Sequence, residues 1–438
     1  MTAETTAGRL AREPAAGMPH SASPGEIAIG VVIGRTSEYF DFFVYAIASV
    51  VVFPKLIFPF VAPLDGTLLS FAVFALAFVV RPFGTALFTT LERARGRGTK
   101  LVLALFLLGS FTVAIAFLPG YASIGPASVA LLALLRMGQG VALGGTWDGL
   151  PSLLALNAPE RRRGWYAMLP QLGAPLGFMV ASGLFAFFLA SLSPSDFLEW
   201  GWRYPFFVAF AINVVALFAR LRIVVAPEYH ELFEARELQP SGVKRTLRAE
   251  GRNIVIGAFA PLASFALFHT VTVFPLSWVV LYTRQRAASF MLIEIAGAAV
   301  GVAAILLSGW LADRTGRRTV LGVTAAAIAA FSGFAPQMLS AGYAGETAFM
   351  LLGFALLGLS FGQCSGAVAA SFAIRFRYTS SALTSDLAWL VGAGFAPLIA
   401  LALAAHFGLT SAGAYLLSGA VGTIAALAIN RQLEAADG

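Results

Sequence analysis

Charge is scarce in this chain. Of its 438 residues only 12% are Asp, Glu, Lys or Arg, about half the share carried by soluble globular domains. Cysteine occurs once, at Cys364, which excludes an intrachain disulfide and a cysteine-based metal cage. Its apolar neighbourhood gives that thiol a small packing role. No Gly-rich phosphate loop, H-E-x-x-H run or nucleophile elbow occurs, so an ATP-driven pump or membrane hydrolase has no visible machinery. Neither enzyme activity, a cofactor nor a metal is expected. Basic residues exceed acidic ones to a net +7, yet they form no single patch of the kind that nucleic acid requires.

Apolar side chains are what the chain has in abundance, at 58%. They gather into runs of the length a helix needs to cross about 30 Å of hydrocarbon, about 20 residues. Such runs lie near 28–58, 65–90, 99–119, 127–157, 164–191, 203–225, 253–283, 288–312, 319–340, 346–375, 380–406 and 409–430. The predicted fold is therefore an all-α membrane protein of twelve transmembrane helices. Residues 1–26 are polar, with no apolar core of the secretory kind, and read as a disordered cytoplasmic tail. A six-helix half at 27–225, a cytoplasmic linker at 226–252, a second six-helix half at 253–430 and a tail at 431–438 complete the expected organisation. With both termini in the cytoplasm, most of the 29 basic residues fall inside, and only Lys55, Arg203, Arg284 and Arg286 fall outside, as the positive-inside rule demands. The halves echo each other: RARGRG at 93–98 matches DRTGRR at 313–318, and APERRRGWYAM matches AIRFRYTSSAL.

Within the first span, RTSEYFDFFVY places Arg35, Glu38 and Asp41 where lipid cannot solvate them. At about 100° per residue, Glu38, Asp41 and Tyr45 share one stripe and Phe40, Phe43, Val44 and Ile47 the opposite one. Intramembrane ionisable groups face a bundle interior or a wet cavity and mark proton or substrate pathways. Asp41, helped by Glu38, is the expected proton carrier; desolvation and a nearby guanidinium act on it in opposite senses. A buried structural pair between Arg35 and Glu38 is the plainer alternative. Arg81 in VVRPFG and Arg136 in LLRMGQGVALGG are two further deep arginines, and Arg136, Gln139 and Thr146 share a face. The run LLRMGQGVALGG resembles the fourth-helix pattern R-x-x-Q-G of the major facilitator superfamily, which implies a part in proton coupling for Arg136; the plainer alternative is a structural partner to Asp41. Arg81, Arg136, Gln139, Tyr45 and Gln171 are the expected solute-binding set. Lesser candidates are His269, read as structural, Glu294, placed near the outer boundary, and Gln363.

The loop GWLADRTGRR, from Gly309 to Arg318, resembles the cytoplasmic signature of the major facilitator superfamily, G-x-x-x-D-R-x-G-R-[KR], at every fixed position. Asp313 ends a span, Gly309 and Gly316 permit close approach and a tight turn, and Arg314, Arg317 and Arg318 can pair with Asp313 or with helix ends. A cytoplasmic gate that breaks as the halves rock is the expected role. In the first-half copy, FTTLERARGRGTK, Arg93 stands at the Asp position, and an acid comes one place early, at Glu92. A one-residue shift would let Glu92 stand in; otherwise that latch is weak.

EYFDFFVYAIASVVVFPKLIFP, RPFG, RMGQGVALGGTWDG, APERRRGWYAMLPQLGAPLG, GWRYPFF and FRYTSSA together resemble the metabolite:proton symporters of that superfamily. The resemblance implies two pseudo-symmetric halves with a site between them near midplane, in a bacterial inner membrane. It implies symport with protons of a small organic acid or zwitterionic metabolite. A small-molecule solute, protons and membrane lipid would be the only partners of a monomeric protein. Four residues depart from the family pattern: Thr146 replaces an acid, Asp148 introduces one, Asn157 replaces a glutamate, and Asp386 stands in place of a neutral polar residue. The competing expectations are an efflux antiporter of the same superfamily and a transporter-derived solute sensor.

Overall fold

The computed structural model describes residues 24–147, 149–224, 238–364 and 372–429. Asp148, residues 1–23 of the first tail, the second tail, residue 225, residues 226–237 of the expected linker and residues 365–371 lie outside them, while Pro24, expected in the tail, already opens a helix. Among the described residues there is no strand, as expected where every backbone polar group must be satisfied within its own segment.

Twelve helical spans are present among the described residues. They are α1 (Pro24–Val51), α2 (63–95), α3 (97–116), α4 (Pro126–Gly145), α5 (Glu160–Ser191), α6 (Gly201–Leu221), α7 (Leu262–Tyr282), α8 (Ala287–Thr315), α9 (Arg317–Met338), α10 (Gly342–Phe361), α11 (Ile374–Phe407) and α12 (Leu409–Ile429). Gly96, at φ +85°, separates α2 from α3, and Gly316, at φ +82°, separates α8 from α9. This left-handed backbone is open to glycine at little cost, so the two halves turn on glycine at matching places. The expected span 127–157 is interrupted: α4 stops at Gly145, Gly149 adopts φ +75°, and a short helix, Leu150–Asn157, follows. A further helix, Val243–Phe259, precedes α7 and packs against the start of α11.

Large apolar side chains cover the outside, among them Phe83, Phe106, Phe187, Val215, Phe218 and Leu292. That is the surface a bilayer solvates. Small residues let the helices approach closely inside. A Cβ at Gly144 would collide with the backbone of Arg81 and Thr85, and one at Gly140 with Ala77 and Val80, so α4 lies almost backbone to backbone on α2. Gly173 and Gly177 give α5 the same access to Arg35 and Phe40 of α1.

Connections gather on two faces. One carries the α2–α3, α4–α5, α8–α9 and α10–α11 junctions and the helix Val243–Phe259; it is called the linker face below. Between this face and the opposite one, aromatic rings fill the boundary between the halves. Phe43 stacks on Phe268 at 5.7 Å, Phe78 on Trp389 at 6.0 Å, and Phe42 on His269 at 5.1 Å.

Candidate functional site

Asp41 is buried within the first half and held by three other helices. Thr112 Oγ1 of α3 donates to its Oδ1 at 2.6 Å, and Asn213 Nδ2 of α6 donates to the same oxygen at 3.3 Å. Gln139 Nε2 of α4 donates to Thr112 Oγ1 at 2.8 Å, and Arg136 Nη1 donates to Gln139 Oε1 at 3.0 Å. Arg136 thus reaches Asp41 through two intervening side chains and not by a direct ion pair. Its guanidinium lies 4.0 Å from the Tyr45 ring centroid and 4.8 Å from that of Phe74, where the ring faces offset part of the cost of a buried cation. Tyr45 contributes that face, and its hydroxyl finds no partner among the described residues. Thr112 and Asn213 were legible in the sequence only as lone polar residues in apolar spans, and went unread.

Glu38 belongs to a second cluster. Arg35 Nη1 donates to Glu38 Oε2 at 2.8 Å, Thr146 Oγ1 donates to Oε1, and Arg220 Nη2 of α6 donates to the Thr146 carbonyl at 2.7 Å. The pair expected from their i, i+3 spacing is formed, and Thr146, standing where the family has an acid, serves as a donor to one. Arg81 sits in neither cluster. Its Nε lies 2.8 Å from Asp386 Oδ1 of α11, and Thr85 Oγ1 donates to Asp386 Oδ2 at 2.5 Å. The unfamiliar acid Asp386 and the deep arginine Arg81 therefore meet across the two halves.

Between the halves lies a cavity of about 60 Å³, room for a few waters. Arg35, Tyr39, Trp147 and Gln171 line it from the first half, and Phe265, Cys364, Ser381, Thr384, Ser385 and Trp389 from the second. Of the expected solute-binding residues only Gln171 is on this wall. Arg81 is drawn off by Asp386, Arg136 and Gln139 by the Asp41 relay, and Tyr45 by Arg136. The wall's aliphatic hydroxyls come from α11. Ser381 and Thr384, one turn apart, are buried, and neither hydroxyl has a partner among the described residues. The run YTSSALTSD is too polar for a lipid-facing helix, which was the available signal. A π-helical turn at Trp389–Gly394 widens α11 beside this wall; such turns recur at functional sites.

On the linker face two carboxylate clusters, called latches below, join the halves at places related by the internal repeat. Asp313 at the end of α8 accepts from the Gly164 amide at 2.6 Å and the Trp165 amide at 3.2 Å, the opening turn of α5, where the helix dipole favours an anion. A Cβ on Gly164 would meet Asp313 Oδ1 at 2.8 Å, and one on Gly309 would meet Met168 Cγ at 2.8 Å, so both glycines are demanded by contact. Arg317 Nη2 donates to the Arg163 carbonyl at 3.3 Å, and Arg318 follows it into α9. Arg314 is turned away and stacks on Trp310 at 3.9 Å, because its i−4 neighbour is nearer than the loop. Gln363 Nε2 donates to the Gly164 carbonyl and to Ser308 Oγ, each at 3.3 Å.

At the matching place in the first half, Glu92 takes the shifted position. Lys100 Nζ lies 2.7 Å from Glu92 Oε2 and Arg97 Nε 3.0 Å from Oε1, while Tyr378 of α11 donates its hydroxyl to Oε2 at 2.9 Å. Glu92, Lys100 and Tyr378 are all buried. Counted from the helix starts at Arg163 and Arg377, Tyr378 corresponds to Gly164: a phenol replaces the backbone donors of the other latch. Two lesser candidates lie elsewhere. His269 is part of the aromatic layer, with Nδ1 3.3 Å from Thr272 Oγ1. Glu294 is wholly buried, on the face of α8 that also carries Gly297, which packs against Phe354 and Met350 of α10.

The sequence profile of the Major Facilitator Superfamily matches residues 31–385. The inner membrane metabolite transport protein YhjE of Escherichia coli K12 is 36% identical over 419 residues, covering 94% of each chain. The shikimate transporter of the same organism is 29% identical over 405 residues, covering 90% of this chain and 91% of that one. The crystal structure of a D-xylose-proton symporter superposes at a TM-score of 0.69 with 20% identity, covering 93% of this chain and 97% of that one. With its twelve spans in two halves and most of its length matched, the chain belongs to the Major Facilitator Superfamily, among its metabolite transporters.

Proposed function

We propose that this transporter carries a small organic acid or related polar metabolite together with protons, by alternating access across a bacterial inner membrane with both termini in the cytoplasm. The observation that carries the reading is the position of Arg35. Its guanidinium lines the cavity between the halves and at the same time pairs with Glu38. A proton arriving on Glu38 weakens that pair and leaves Arg35 for the carboxylate of a solute, so proton and solute bind best together. Asp41, screened from lipid and joined to Arg136 by Gln139 and Thr112, supplies a second carboxyl whose charge the first half can accommodate in one state better than in another. Such a difference in affinity between states is what drives the switch. The names of the relatives, an inner membrane metabolite transport protein and a shikimate transporter, support an acid of this size.

The test is uptake of an organic-acid panel into proteoliposomes under an imposed pH gradient. Uptake should require the gradient, lose that requirement in Glu38→Gln, and fall at least tenfold in Asp41→Asn. Undiminished, gradient-dependent uptake in both variants would overturn the reading. Outward-directed exchange in inverted vesicles would make it an antiporter instead. The sensor reading draws on the altered first-half loop and on Thr146; Glu92, paired with Lys100 and Tyr378 at that loop, and Thr146, donating to Glu38, weigh against both motives.

A further inference from the structure

On the linker face a larger hollow, of about 640 Å³, opens between the end of α2, the start of α11 and residues 239–245. Four basic side chains line it: Arg93 from the first half, Lys244 and Arg245 from the helix between the halves, and Arg375 from the second half. Among the described residues no acidic side chain lines it. The nearby carboxylates point elsewhere. Glu92 turns inward to Lys100 and Tyr378, and Glu250 accepts from Asn253 at 2.7 Å and from the Ala373 amide at 3.3 Å. Topogenic lysines and arginines need only lie on the correct side. Here four of them, from three distant stretches of sequence, converge on one hollow, where their mutual repulsion has no described counter-charge.

The surroundings indicate what offsets it. Leu87 and Phe83, one and two turns up α2 from Thr90 on the same face, are 61% and 72% exposed, an apolar track leading from the hollow into the bilayer. A phosphate at the hollow and acyl chains on this track satisfy both features. We propose that this hollow binds the headgroup of an anionic phospholipid, and that the lipid acts as a clamp. By joining Arg93 to Arg375 it ties the two halves at the junction where Glu92 meets Tyr378, and so favours the state closed on the linker face.

Cys364, buried on the wall of the central cavity and the chain's single thiol, reports that closure without an introduced label. The full-length protein is reconstituted in vesicles of phosphatidylcholine alone or with 30% phosphatidylglycerol, and N-ethylmaleimide labelling of Cys364 is timed. Phosphatidylglycerol should slow labelling at least threefold. In native mass spectrometry it should stay bound where phosphatidylcholine is lost. Both effects should vanish in Lys244→Gln/Arg245→Gln/Arg375→Gln, whose substitutions are exposed and leave the Glu92 latch untouched. Equal labelling in the two vesicles, or undiminished retention of phosphatidylglycerol by the variant, overturns the proposal. So does an equal slowing by millimolar inorganic phosphate in phosphatidylcholine vesicles, which would identify a soluble anion as the occupant. A variant with Glu228, Glu231, Glu234 and Glu237 changed to Gln supplies the last arm. If that change alone makes the protein respond to phosphatidylglycerol, the chain's own carboxylates fill the hollow and the lipid does not.

Discussion

Removing the carboxylate of Glu92 leaves Lys100 buried with its counter-charge gone, and a buried charge deprived of its partner costs on the order of 3 kcal/mol or more. Tyr378→Phe removes a neutral donor to the same carboxylate, at about 2 kcal/mol. Both changes act across the halves, so both should speed N-ethylmaleimide labelling of Cys364, Glu92→Gln more than Tyr378→Phe. Combined with Asp313→Asn, Glu92→Gln should give faster labelling than either single variant, because two independent latches hold one face. Labelling unchanged in the double variant would mean that neither latch holds the linker face shut. The cavity wall offers a prediction of its own. Ser381 and Thr384 present buried hydroxyls with no described partner, so Thr384→Val should leave the fold intact and weaken the solute by about tenfold, as loss of one hydrogen bond to a polar ligand implies. Thermal stability and the uptake KM, measured on one preparation, separate the two effects.

At the scale of elements, the seam between α2 and α4 is built on Gly84, Gly140 and Gly144, each against backbone of the other helix. Gly140→Val would force α4 outward, at about 1–3 kcal/mol for overpacking. It would also carry Arg136 and Gln139, both on α4, away from Thr112 of α3. The variant should lower the thermal midpoint and abolish gradient-driven uptake, whereas Gly333→Ala, at a position open to space, should do neither. The elements themselves were legible in advance because length and apolarity decide a span in lipid, and the loop signature fixed where α8 and α9 meet. The break after Gly145 was not, since 127–157 reads as one apolar run and only the backbone at Gly149 interrupts it. Nor could the sequence tell where long side chains end. Arg81 and Arg136 looked like a pair of anion ligands, but one is claimed by Asp386, some 300 positions away in the chain, and the other by aromatic faces of α1 and α2. Conversely, the spacing of Arg35 and Glu38 was enough to find their pair, because both partners lie on one helix.

For the whole molecule, the contacts between halves divide by depth. Tyr39, Phe265, Phe361 and Trp389 border the cavity, and Phe42, Phe43, Phe268 and His269 continue the aromatic layer on the side away from the linker face. This layer is apolar and interdigitated, so parting it exposes rings and costs free energy in proportion to area. On the linker face the contacts are two carboxylates on helix-end donors, short in reach and sensitive to charge. The two closures thus resist opening by different physics, and they should respond differently to salt. Raising ionic strength screens exposed charges within a Debye length of about 8 Å at 0.15 M and about 3 Å at 1 M, while the aromatic layer is unaffected or strengthened. Asp313 stands nearer water than the buried Glu92, so its latch should weaken first. Labelling of Cys364 should therefore accelerate between 0.05 M and 1 M sodium chloride in the wild-type protein. It should accelerate less in Asp313→Asn, which has already lost the more exposed latch, and keep most of its response in Glu92→Gln. The same salt response in all three proteins would show that closure of the linker face owes little to these carboxylates, and that packing of the helices alone sets the balance between the two states.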